Sequence, residues 1–82
     1  MNSEVLEEEI KKILVRCLPE LKDKELDLDQ KQHQFESWDS FSHMEIVGKL
    51  EEQFSINLEI SEVVELDSPR KIIEVVKSKL TA

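Results

Sequence analysis

Trp38-Asp39-Ser40-Phe41-Ser42-His43-Met44-Glu45-Ile46-Val47-Gly48-Lys49-Leu50-Glu51-Glu52-Gln53-Phe54 carries a hydroxyl at its mouth and an apolar stripe along its length. Met44, Val47, Leu50 and Phe54 step three, three and four, with Ile46 widening the stripe, so residues 40–54 are expected to form a helix with these side chains buried. At about 100° per residue, Phe41, Glu45, Gly48 and Glu52 fall nearly opposite. An aromatic beside two carboxylates on a solvent face reads as a docking strip, an apolar anchor with charges that steer a basic partner. A solvated acidic face with one incidental apolar residue is the plainer alternative. Ser40 in the first turn either caps its helix or offers its hydroxyl to a phosphate, which the free N–H groups and dipole there favour.

Upstream, Leu6, Ile10, Ile13, Leu14, Cys17 and Leu18 form the stripe of a first helix that begins after Asn2 or Ser3 and stops before Pro19. Residues 19–39 lose periodicity and read as a long loop, with Leu21, Leu26, Leu28, Phe35 and Trp38 as anchors to the core. Downstream, Ile56-Asn57-Leu58-Glu59-Ile60 alternates like a strand but has no partner strand. It is expected to be an extended connector that buries its apolar positions. Ser61 is expected to cap a short third helix through Leu66, with Val63, Val64 and Leu66 as its apolar positions. Asp67-Ser68-Pro69 marks the start of the last helix, because Ser caps and Pro is tolerated at the first helical position. Ile72, Ile73, Val76 and Leu80 form its inward stripe, while Lys71, Lys77 and Lys79 face water. The predicted architecture is all-α, a four-helix bundle with three longer helices, one short third helix and a long loop between helices one and two. The 82 residues are read as a single domain.

Nineteen acidic against eleven basic side chains give a net charge of −8, which repels nucleic acid and anionic membrane and favours basic protein surfaces. A chain this small has little interior for both a core and a catalytic cleft, so no enzyme is expected. Cys17, the single cysteine, lies on the first helix's apolar stripe and reads as a buried hydrophobe. No stretch is long and apolar enough to span a membrane, and Met1-Asn2-Ser3-Glu4 is not the start of a signal peptide, so a cytoplasmic, monomeric protein is expected.

Two chemistries compete. Ser40 and His43 are one helical turn apart, the spacing of a nucleophile and a base, but no oxyanion loop or orienting acid accompanies them. Glu25, Asp27, Asp29 and Glu36 fall at positions one, three, five and twelve of a calcium loop, yet Glu25 stands where Asp is wanted and Gln30 where Gly is wanted. Cys17, His33 and His43 have no metal-ligand spacing. No metal site is expected.

The chain resembles the acyl carrier proteins, the phosphopantetheine-binding family. That family opens the second of four helices with Asp-Ser-Leu; here the triplet is Asp39-Ser40-Phe41, and Met44-Glu45-Ile46-Val47 followed by Leu50-Glu51-Glu52-Gln53-Phe54 matches the helix body. The connector, the short helix and the Ser68-Pro69 start also fall where the family has them. The resemblance implies that Ser40 is esterified by a phosphopantetheinyl transferase, which moves 4'-phosphopantetheine from coenzyme A with Mg²⁺. The arm's thiol then carries acyl groups as thioesters to acyl-transferring or acyl-activating enzymes. Asp39 corresponds to the acid near the phosphate and the transferase's metal. Phe41, Glu45, Gly48 and Glu52 fall where partner enzymes dock. Ser37 stands where a Gly is common, Phe41 replaces Leu, and Gly48 replaces a larger apolar residue, a pattern similar to carriers of specialised pathways. His43 would narrow the entrance to the bundle interior. An aminoacyl or D-alanyl carrier shares this scaffold, and an unmodified acidic interaction module with Ser40 as a cap is the reading from another class.

Overall fold

In the computed structural model, which describes residues 2–81, the anticipated helices run α1 (Ser3–Cys17), α2 (Ser40–Phe54), α3 (Ile60–Glu65) and α4 (Pro69–Thr81). Among the described residues there is no strand. Each boundary has a local cause. Asn2 accepts the Val5 N–H at 2.9 Å and caps α1, which ends before Pro19. Ser68 accepts the Lys71 N–H at 3.2 Å ahead of Pro69, the first residue of α4. α2 closes on Ser55, which takes the left-handed conformation at φ 54° and donates its N–H to the Glu51 carbonyl.

α1 packs against both α2 and α4, and α2 against α4. Leu6, Ile10, Ile13, Leu14 and Cys17 of α1 meet Ile46, Val47, Leu50 and Phe54 of α2 and Ile72, Val75 and Val76 of α4 in one core, closed by Leu18, Leu21, Phe35, Trp38 and Leu66. Cys17 is buried, and burial, then the charge of Glu45, pushes its thiol up from the ordinary range.

The long loop is lashed down. A 3₁₀ turn at Pro19–Asp23 buries Leu21, and another spans Gln32–Gln34. Arg70 clasps Asp29 through two hydrogen bonds of 2.6 and 3.3 Å, and its own N–H donates to the Leu28 carbonyl at 2.9 Å. Asp29, one of the calcium-loop positions, is thereby engaged by a guanidinium. The radius of gyration, 11.7 Å, equals the about 12 Å of a compact chain this long.

Several side chains depart from the expected stripes. Met44 is 58% exposed, not buried. It lies about 100° from the line through Ile46, Val47, Leu50 and Phe54, which places it beside Phe41. Val75 replaces Leu80 in the core-facing line of α4, leaving Leu80 exposed. The connector buries only Ile56 and Leu58 in part; Ile60 opens α3 and is 84% exposed. Glu59, not Ser61, is the residue that caps α3, its N–H donating to the Glu62 carboxylate at 2.9 Å. Val63 of α3 and Leu66 just beyond it turn to the core while Val64 is 74% exposed, since a helix this short has only one side against the bundle. Lys79 does not simply face water: it pairs with Glu62 at 2.8 Å and ties α4 to α3.

Candidate functional site

Ser40 is the first helical residue of α2, held there by the preceding Asp39, whose carboxylate accepts the Ser42 N–H at 2.9 Å. That backbone hydrogen bond holds the Asp39 carboxyl below its ordinary range. The Ser40 side chain is exposed, and its hydroxyl makes no hydrogen bond among the described residues. A hydroxyl at a helix tip, with first-turn N–H groups beside it, suits an esterified phosphate.

Two residues that sequence reasoning passed over, or read only locally, hold this tip in place. Glu20, in the 3₁₀ turn Pro19–Asp23, accepts three hydrogen bonds from the loop segment that leads to α2: Ser37 N–H at 2.6 Å, Ser37 hydroxyl at 2.7 Å and Glu36 N–H at 3.0 Å. Burial works against its charge, but these bonds prevail and keep its carboxyl below the ordinary range. Ser37 thus contributes a hydroxyl to the clasp. The only sequence signal for Glu20 was its position next to Pro19.

His43 is the second. The Trp38 indole N–H, which can only donate, reaches His43 Nδ1 at 2.9 Å, so the imidazole proton sits on Nε2 and donates to the Val63 carbonyl at 2.8 Å. The rings of Trp38 and His43 stack at 5.9 Å, and Phe35 meets Trp38 edge-on at 5.2 Å. With both nitrogens committed, His43 does not serve Ser40 as a base, and the hydrolase reading falls. His43 instead bridges α2 to α3.

On the loop side of Ser40 lies an open cleft of ≈ 640 Å³ between Lys31, Gln32 and His33, the Trp38-Asp39-Ser40 segment, and Asp67. Its walls are stitched: Gln32 N–H donates to the Asp67 carbonyl at 2.7 Å, Gln32 Nε2 to the Trp38 carbonyl at 3.3 Å, and Lys31 pairs with Asp67 at 3.7 Å. Along α2, Phe41 (79%), Glu45, Gly48 and Glu52 are all exposed, as is Asp39 at the tip. Met44 adds a second apolar group to that strip. A Cβ at Gly48 would meet nothing within 4 Å, so the strip is open there. No described helix is long and apolar enough to cross a membrane.

A search of curated proteins returned no match. A family model described as the phosphopantetheine attachment site matches residues 8–76. The match takes in α2 with its exposed Ser40, the loop that positions it and most of α4. The arm's thiol, when bound, supplies the thioester linkage of a carrier. The chain belongs to the phosphopantetheine attachment site family and is a carrier protein with covalently bound 4'-phosphopantetheine.

Proposed function

We propose that Ser40 is the attachment residue, and that the domain holds acyl intermediates of a biosynthetic pathway as thioesters and presents them to successive enzymes while catalysing nothing itself. The observation that carries this reading is the uncovered, unbonded hydroxyl at the tip of α2, inside the matched region. A phosphopantetheinyl transferase joins Ser40 Oγ to the pantetheine-side phosphorus of coenzyme A's pyrophosphate; the bridging P–O bond breaks, the nucleotide leaves as 3',5'-ADP, and the serine proton is released. Asp39 uses one carboxylate oxygen for its cap and keeps the other for the transferase's Mg²⁺. Phe41, Met44, Glu45 and Glu52 dock partner enzymes with basic surfaces, and the opening at Gly48 admits a bulkier partner side chain. The protein acts as a monomer in the cytoplasm.

Intact mass after incubation with coenzyme A, Mg²⁺ and a broad-specificity transferase tests the assignment. A gain equal to the arm, abolished in Ser40→Ala, is the expected result. A gain that persists in Ser40→Ala moves the site elsewhere, and no gain on the folded protein leaves an unmodified interaction module.

A further inference from the structure

The tip of α2 has two flanks, and they differ. Towards α3, the imidazole of His43 spans the seam between hydrogen bonds to Trp38 and Val63, and behind it Ile46, Leu50 and Leu66 are wholly buried. Towards the loop, the cleft beside Ser40 is open and already walled. Its chemistry sorts what can lie in it. The Asp39 and Asp67 carboxylates outnumber the Lys31 ammonium, which Asp67 already pairs, so an anionic segment is disfavoured inside. A neutral chain bearing amides is suited. Gln32 spends its Nε2 on the Trp38 carbonyl and keeps its amide oxygen as an acceptor, His33 makes no hydrogen bond among the described residues, and the Lys31 stem offers apolar contact.

We infer that the pantetheine portion of the arm, which carries two amides and a geminal dimethyl group, lies in this cleft between residues 31–33 and Asp67. Its phosphate stays at the tip of α2. The thioester cargo is held at the surface on the loop side and is not threaded between α2 and α3. This rests on Ser40 as the attachment residue, and the two readings fail separately.

The test compares apo and holo forms of the ¹⁵N-labelled protein, the holo form verified by intact mass. Expected are amide shifts at Gln32, His33 and Asp67 larger than those at Ile46, Leu50 and Ile72, with nuclear Overhauser contacts between the arm's geminal methyls and the Lys31 side-chain methylenes. Gln32→Ala, which removes both the free amide oxygen and the Nε2 bond to the Trp38 carbonyl, should shrink the shifts at His33 and Asp67 in holo protein verified by mass; undiminished shifts there count against the cleft. Shifts confined to the immediate neighbours of Ser40, or contacts from the arm to Ile46 and Leu50, overturn the cleft and leave the attachment site intact. Failure to gain the arm overturns both.

Discussion

Glu20 is the residue whose role reaches furthest from its own element. It receives three hydrogen bonds from Ser37 and Glu36, and so fixes the chain two residues before the Asp39-Ser40 pair. Its folded-state carboxyl titrates below the unfolded one, so its stabilisation is complete above the ordinary glutamate value, about 4.3, and disappears as pH falls through the folded value. Glu20→Gln should therefore flatten the decline in Tm between about pH 6 and 3 relative to the parent protein; parallel declines would show that the clasp contributes nothing. The same substitution should slow arm transfer to Ser40 with unchanged helix content by circular dichroism, because a loosened tip presents its hydroxyl in fewer productive orientations. His43 shows how far a side chain's actual partners can lie from the one its spacing offers. Its spacing from Ser40 suggested a base, while an indole N–H and a carbonyl from α3 claimed both nitrogens.

Among the elements, α2 combines two local imperfections with its exposed strip. Gly48 sits mid-helix with open space where a Cβ would stand, so Gly48→Ala should stabilise the fold by about 0.5–1 kcal/mol, read from urea unfolding. Ser55 ends the helix at φ 54°, a conformation that costs a side-chain-bearing residue about 1–2 kcal/mol, and Ser55→Gly should recover part of it. If Gly48 is retained for access, Gly48→Ala will leave arm transfer intact yet weaken a partner whose side chain enters that gap. The carboxylates flanking the gap act by charge. Glu45→Lys and Glu52→Lys should reduce association with a basic partner enzyme, most at low salt, without loss of helix content. Association that survives both reversals at low ionic strength would remove the strip from consideration. Exposure of Met44, Ile60 and Val64 leaves the α2 and α3 surface more apolar than spacing alone suggested. The reason lies in packing: α2 turns the line through Ile46 and Leu50 to the core, and six-residue α3 has only one side to bury.

Across the whole molecule, one core joins three helices and the loop anchors, so a deletion at its centre should be felt everywhere. Leu50→Ala, at a fully buried position, should cost about 2–5 kcal/mol in a single cooperative unfolding transition; a loss confined to α2 would contradict the shared core. The net charge of −8 acts at this scale as well, favouring approach of basic over anionic surfaces. Helix positions were legible in the chain because their causes are local: an apolar period of 3.6, Asn2 and Ser68 as caps, and Pro19 and Pro69 as a stop and a start. So was the placement of Ser40, since an Asp cap and the following stripe fix where α2 begins. The capping of α3 was misplaced by two residues because Glu59 caps it through its partner Glu62, a device less evident than the serine at Ser61. What the tertiary structure alone decided is which side of Ser40 is shut and which is open. Those outcomes rest on bonds between residues far apart in the chain, Glu20 with Ser37 (17 apart), His43 with Val63 (20 apart) and Gln32 with Asp67 (2.7 Å). Residue type and spacing say that such groups can bond; only the fold brings the partners within reach.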